Sequence, residues 1–284
     1  MAEQWTIEEP RVLDVGGEGE RVRALKVGLV GGRVDVVTHD DSPAARIEVS
    51  DVKGQPVLVR WDGSTLKISQ GRDSESGIVD RLRATFEGIE HNRVVISVSI
   101  PDDATATVST VSADALVAGV HAEVKANTVS GALTLDDLIG RTSVNTVSGI
   151  VECSRLRGPL HANSVSGTVT AQSSELPEAT VHTVSGDVAL DLTNAVASVS
   201  SNSVTGDVTV RAPHRGYDVR ANTAGGQVVV DGRELRRGPY ASGGQLTEGD
   251  RALRIKANAV SGSIVVLRSD TRSTSAGTTD EWAI

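Results

Sequence analysis

The chain of 284 residues is 38% hydrophobic but only 2% aromatic (one Phe, two Tyr, three Trp), which implies a narrow core lined by small branched side chains. A formal charge of −9, from 28 basic and 37 acidic residues, argues against nucleic acid as a partner, because affinity for a phosphate backbone comes from clustered Lys and Arg. Cys153 is the sole cysteine, which excludes an internal disulfide framework and any multi-thiolate metal site.

Residues 1–9 hold no basic stretch followed by an apolar run, and no segment approaches the ~18 apolar residues of a membrane span. The sequence therefore predicts a soluble, cytoplasmic protein without membrane insertion. Residues 1–104 read as a β-strand-rich lead-in and cap for the repeats, with strands expected at 22–30, 33–38, 46–52, 57–61, 65–70 and 93–100. Gly31 with Gly32 and Asp62 with Gly63 fall between alternating runs as hairpin turns. Residues 77–91, with Ile78, Leu82, Phe86 and Ile89 near helical spacing, read as a short helix or an apolar loop.

Residues 105–268 are dominated by one recurrence. Thr-Val-Ser-Gly or a variant ends at Gly131, Gly149, Gly167, Gly186, Gly206, Gly226, Gly244 and Gly262, in steps of 18 to 20 residues, after a degenerate copy ending at Ala113. Helical repeats run longer, and the Leu pattern of leucine-rich repeats is missing, so each period reads as one turn of a parallel β-solenoid of about nine turns. With the Gly as position 0, positions +2 and +4 are apolar, as in Leu133 and Leu135 or Val208 and Val210. Position −2 is Val147, Val165, Val184, Val204 or Val260, which places −2, 0, +2 and +4 on one inward parity. Upstream, −7 and −5 are apolar, so the parity switches once per turn.

The switch is expected at −4, where Asn127, Asn145, Asn163, Asn202, Asn222 and Asn258 recur, with His182 once. Asn tolerates the left-handed region and bonds to its own kind one turn away, so this row reads as a structural corner ladder. Positions −3 and −1 then form a flat outward array of hydroxyls: Thr128 with Ser130, Thr146 with Ser148, Ser164 with Ser166, Thr183 with Ser185, and Ser203 with Thr205. That array is the candidate contact face, for self-association or an unknown protein partner, because a flat uncharged sheet face is a template for another. Ser replaces Thr at most −1 positions, which removes the methyl groups an ice-binding array would use. A Ser/Thr/Gly-rich tail, residues 269–284, reads as disordered, with Trp282 able to dock.

Catalytic chemistry finds little support. The repeated Ser has no recurring His as base, and the six His show no metal-ligand spacing, with His161 at −6 and His182 at −4 and so not stacked. Asp187 and Asp207 fall at +1 on adjacent turns, as solvated surface or half of a weak Ca²⁺ site, two carboxylates being short of the 6–8 oxygens that ion takes. No catalytic, cofactor or metal site is expected, and turns this short leave no room for the loops that wall a carbohydrate-cleaving cleft.

The repeated Asn-Thr-Val-Ser-Gly-x-Val units at 145–151 and 163–169, behind a lead-in ending in Val98, Ser99, Ile100 and Pro101, resemble a bacterial putative-adhesin family of unknown function built from β-strand repeats. The resemblance covers roughly residues 10–268 and implies a β-solenoid with no established reaction and no known catalytic residues. The expectation is a non-enzymatic, adhesin-like β-solenoid scaffold for interaction; the alternative is a carbohydrate-binding or carbohydrate-cleaving β-helix with a glycan ligand.

Overall fold

Buried apolar and exposed polar side chains alternate with period two along almost every strand, and that alternation winds the chain into layers. The computed structural model describes residues 3–17, 19–71, 92–213, 216–236 and 242–269. The expected helix or loop at 77–91 and nearly all of the tail at 269–284 lie outside the described residues. In chain order the strands are β1 (Glu3–Ile7), β2 (Arg11–Val15), β3 (Ala24–Leu29), β4 (Gly32–His39), β5 (Ala45–Lys53), β6 (Val57–Trp61), β7 (Thr65–Gln70), β8 (Arg93–Pro101), β9 (Thr105–Thr110), β10 (Asp114–Ala118), β11 (Val124–Thr128), β12 (Leu133–Asp136) and β13 (Thr142–Thr146). They continue with β14 (Val151–Ser154), β15 (Leu160–Ser164), β16 (Val169–Ser174), β17 (Glu178–Thr183), β18 (Val188–Leu192), β19 (Ala197–Ser203), β20 (Val208–Ala212), β21 (Tyr217–Thr223), β22 (Val228–Val230), β23 (Arg233–Glu234), β24 (Ser242–Glu248), β25 (Leu253–Ala259) and β26 (Ile264–Arg268).

These form an all-β solenoid of two thirteen-stranded sheets around one core. The first sheet runs β1-β6-β7-β3-β9-β11-β13-β15-β17-β19-β25-β21-β24, the second β2-β5-β8-β4-β10-β12-β14-β16-β18-β20-β26-β22-β23. Between the antiparallel strands at either end, each sheet holds ten parallel strands among the described residues. At the usual strand spacing the stack is about 60 Å long. Equivalent residues of successive repeats pair directly: Thr142 with Leu160, then Leu160 with Ala179. A narrow third side carries Leu138, Leu156 and Leu176, all buried, and the bridges Ile139–Arg157 and Arg157–Glu175. It is reached through Asp137, Arg155 and Ser173, each with a left-handed φ near +50° (50°, 52° and 49°). The nineteen-residue turn takes up its extra residue here, in a bulge between Ala171 and Ser174.

Four expectations are corrected. Gly31 and Gly32 do not make a hairpin: β3 lies in the first sheet and β4 in the second, so the pair turns the chain from one sheet to the other. Residue 104 does not divide two structures, because β3 and β4 stack in register on β9 and β10 and the same sheets run through. The copy at Gly244 is not a turn: it sits in β24, which pairs antiparallel to β21. Finally, the turns do not stack in chain order. The last one, β25 and β26, slots between β19/β20 and β21/β22. The other end is built alike, with β3/β4 lying between β7/β8 and β9/β10. Of the expected hairpins, Asp62-Gly63 does join antiparallel β6 and β7.

Candidate interaction surface

The Thr-Val-Ser-Gly motif is the corner itself, between the first and second sheets. Position 0 must be glycine because a Cβ on Gly131, Gly149, Gly167 or Gly186 would lie 2.0–2.2 Å from a carbonyl oxygen of the preceding layer. Position −3 faces inward, correcting half of the expected hydroxyl face: Thr128, Thr146, Ser164, Thr183 and Ser203 are only 4–6% exposed. The reason is hydrogen bonding, since a backbone that turns leaves its amides without a sheet partner. The Gly131, Gly149, Gly167 and Gly186 N–H groups donate to the hydroxyls of Thr128, Thr146, Ser164 and Thr183 at 2.9–3.1 Å. Ser164 Oγ in turn donates to Gly167 O at 2.7 Å and Ser203 Oγ to Gly206 O at 3.2 Å.

With −3 inward and 0 inward, the two residues between them point out. The expected inward valines at −2 are therefore exposed: Val147 46%, Val165 48%, Val184 49%, Val204 44% and Val260 55%. Val129 is partly exposed. Together they make an apolar ridge along one corner, one valine per layer. Beside it the −1 residues are outward as expected, but their hydroxyls are engaged. Ser130, Ser148 and Ser166 donate to the carbonyls of Val111, Val129 and Val147 one layer back at 3.0–3.1 Å, and Ser185 and Thr205 do the same at 3.4 and 3.3 Å.

On the other flank runs the Asn row, on the outer face of the first sheet near the strand ends and not at a corner. Asn145 Nδ2 donates to Asn127 Oδ1 and Asn163 Nδ2 to Asn145 Oδ1, both at 2.9 Å. A second run follows the stacking order, with Asn258 Nδ2 donating to Asn202 Oδ1 at 3.0 Å and Asn222 Nδ2 to Asn258 Oδ1 at 3.4 Å. His182 separates the runs, its Nδ1 3.2 Å from Asn202 Nδ2. Contrary to expectation the His161 and His182 rings do meet, edge to face with centroids 6.0 Å apart, because −6 and −4 on paired strands are diagonal neighbours. On β13, β15, β17 and β19 positions −6 and −4 of this face (Ser143, Asn145, His161, Asn163, Thr180, His182, Ser200, Asn202) carry no carboxylate, Lys or Arg, the nearest carboxylate being Glu178 at the start of β17.

The remaining candidates resolve into structure. Asp187 Oδ1 accepts the Asp207 N–H at 2.9 Å and Asp207 Oδ1 accepts the Ser263 N–H at 2.8 Å, so each carboxylate satisfies the amide of the next layer. Among the described residues no three His, Cys, Asp or Glu side chains converge as metal ligands. Cys153 is buried and its thiol is pushed up to about 12 by desolvation, which keeps it protonated and unreactive. Two shallow concavities stand out. One of about 540 Å³ lies on the third side by Arg157, Glu175 and Val196, and one of about 440 Å³ lies on the first sheet by Lys26, Arg60 and Lys67. No helix among the described residues is long and apolar enough to cross a membrane.

A family model described as Toastrack DUF4097 matches residues 33–267. Among solved structures, a putative lipid binding protein from Parabacteroides distasonis ATCC 8503 aligns at 14% identity, covering 91% of this chain and 97% of its own, with a TM-score of 0.53. A putative adhesin from the same strain aligns at 11% identity over 91% and 97% of the two chains, TM-score 0.49. A putative adhesin from Bacteroides fragilis NCTC 9343 aligns at 10% over 92% and 98%, TM-score 0.47. At these identities the likeness concerns the fold alone, and only the first TM-score supports it. No curated protein matches the chain's sequence.

Proposed function

The chain belongs to the Toastrack DUF4097 family, and from that premise we propose that it is a non-enzymatic interaction rod whose contact line is the corner ridge Val129–Val260, engaged by a second copy of the chain. The observation that carries the reading is the row of half-exposed valines, one per layer, flanked by hydroxyls and amides already hydrogen-bonded within the rod. Such a strip gains from losing water and has few polar groups left to desolvate.

A second copy is the occupant that fits, because its ridge repeats at the same interval of about 4.8 Å and can interdigitate valine for valine. The net charge of −9 does not oppose the approach locally, since the neighbouring Asn-lined face has an uncharged centre. Six layers by four residues make a strip of about 29 by 13 Å, or about 380 Å² per copy, below the roughly 800 Å² per partner of a standard interface. Pairing is therefore weak and reversible. A glycan reading has less behind it: among the described residues Trp61 and Tyr217 are buried and Trp5 is partly buried, leaving no exposed ring on which a sugar could stack.

Sedimentation velocity over a concentration series tests this. Wild-type protein should show concentration-dependent self-association that the double variant Val165→Glu/Val184→Glu, with both changes on exposed side chains, abolishes while keeping the wild-type β spectrum. A wild type that stays monomeric at high concentration, or a variant that associates equally well, overturns the reading.

A further inference from the structure

An acidic chain has gathered three cations on one patch of its first sheet. Lys26 pairs with Lys67 across β3 and β7, and Lys67 pairs with Arg60 across β7 and β6, so the three residues occupy one row on the outer face. Lys26 and Lys67 are exposed, while the residues on either side of each are buried (Leu25 and Val27, Leu66 and Ile68), which confirms that both lysines point outward. Like charges directly opposite on paired strands, about 4.8 Å apart at the backbone, repel. By contrast, Arg211 is bound by Asp191 on the neighbouring layer and Lys125 by Glu123. Neither Lys26 nor Lys67 has a carboxylate within ion-pair distance among the described residues.

The carboxylates nearest this row, Asp62 and Glu3, form no ion pair with Lys26 or Lys67. Asp62 is turned into its own hairpin, where Oδ1 accepts the Thr65 N–H at 2.6 Å and the Ser64 N–H at 3.0 Å, and those bonds hold it ionised below its ordinary range. Glu3 stands exposed on the rim. Arg60 Nε donates to Gln4 Oε1 at 3.1 Å, which fixes the guanidinium over the patch. Together with Trp61 and Thr65 these residues wall a concavity of about 440 Å³, larger than a bare tetrahedral anion needs and roomy enough for an ester attached to it.

We propose that this concavity binds the phosphate group of a phosphoester, with Lys26 and Lys67 as point charges on its oxygens, Arg60 as a directional donor and Thr65 able to add a hydroxyl. The site would supply the counter-charge that Lys26 and Lys67 lack among the described residues. It lies in the terminal layers, away from the valine ridge of the middle layers, so it stands or falls independently of rod pairing.

Two arms test the source of the phosphate. In the first, glycerol phosphate and inorganic phosphate are titrated into the full chain by calorimetry, with melting curves at matched ionic strength in chloride as the control. In the second, the chain is floated with phosphatidylcholine vesicles with and without phosphatidylglycerol. Binding in either arm, with a gain in melting temperature over the chloride control or selective recovery with phosphatidylglycerol, supports the site if Lys26→Gln/Lys67→Gln weakens it at least 10-fold. A soluble ester alone identifies a small phosphoester; vesicles alone identify a lipid headgroup. Since removing the two charges relieves repulsion, the variant should melt no lower than wild type without ligand, so loss of binding cannot be ascribed to misfolding. No binding in both arms, or binding that the variant retains, overturns the proposal.

Discussion

Replacing Gly167 by alanine isolates the contact that sets the layer spacing. An added Cβ would sit 2.0 Å from Gly149 O, 3.1 Å from Gly149 C and 3.3 Å from Ser164 Oγ, and the oxygen is backbone that no side-chain rotation can clear. Since φ at this glycine is not left-handed, the cost is one of space alone. Two layers must part locally, weakening bonds such as Ser166 N–H to Val147 O, now 2.7 Å. Overpacking costs about 1–3 kcal/mol, two weakened backbone bonds add about 1 kcal/mol each, and the stiffer unfolded chain returns about 0.4–1 kcal/mol. The net is about 2–4 kcal/mol, a fall of roughly 5–10 °C in melting temperature for a chain of this size. Gly28→Ala is the control, because its Cβ would meet nothing within 4 Å and only the unfolded-state gain remains. Thermal melts followed by far-UV circular dichroism compare the two. If Gly167→Ala melted with wild type, or with Gly28→Ala, the account of the corner as a glycine-limited stack would be wrong.

Thr146→Val keeps the shape of a buried side chain but leaves the Gly149 N–H without its 3.0 Å acceptor, at a cost of about 1–3 kcal/mol in chemical denaturation. Thr146→Ser should recover most of that loss, since Ser164 already fills the same position. Asn163→Ala removes the bond to Asn145 and the contact with His161, and should cost about 1 kcal/mol without altering the β spectrum. Cys153 should resist alkylation until the chain unfolds. Its thiol holds its proton up to about 12 in the fold against an ordinary 9.0, so the unfolded chain releases that proton first. Stability from this group is complete below pH 9 and declines as pH rises from 9 to 12, by up to about 1.4 kcal/mol per pH unit. The Cys153→Ala variant should lack that decline in denaturation curves taken across the range.

The period of the repeat was legible because, from Gly131 onward, each corner brings its position 0 too close to a neighbouring layer's carbonyl for a Cβ, and that leaves a mark every 18 to 20 residues. What lies inside and outside at the corner was not legible. Strict alternation carried through Thr-Val-Ser-Gly puts valine inward, whereas a corner has two consecutive outward residues, and hydrophobicity alone cannot reveal that Thr146 is buried for its hydroxyl while Val147 is turned out. The order of stacking was hidden for another reason. The copies at Asn222–Gly226 and Asn258–Gly262 share Asn at −4 and Gly at 0, which gives no order of stacking, and only the antiparallel β24 packed against β21 marks that turn as the outer one. In the first hundred residues the corner persists without its signature: a Cβ on Gly32 would lie 1.9 Å from Val94 O, but no Thr-Val-Ser precedes it, so a two-glycine hairpin was the simpler reading. Of the contact face, the serines at −1 were found, and the valine ridge beside them was missed by the same parity error.

Because the closing turn is wedged between two older ones, tension applied at the carboxyl end does not strip the rod layer by layer. It must draw β25 and β26 out from between two layers, severing backbone ladders on both flanks at once, while the antiparallel pair of β21 and β24 stays outside like the hasp of a clasp. A rod fastened this way should yield to traction in one large event, because both flanking ladders fail together.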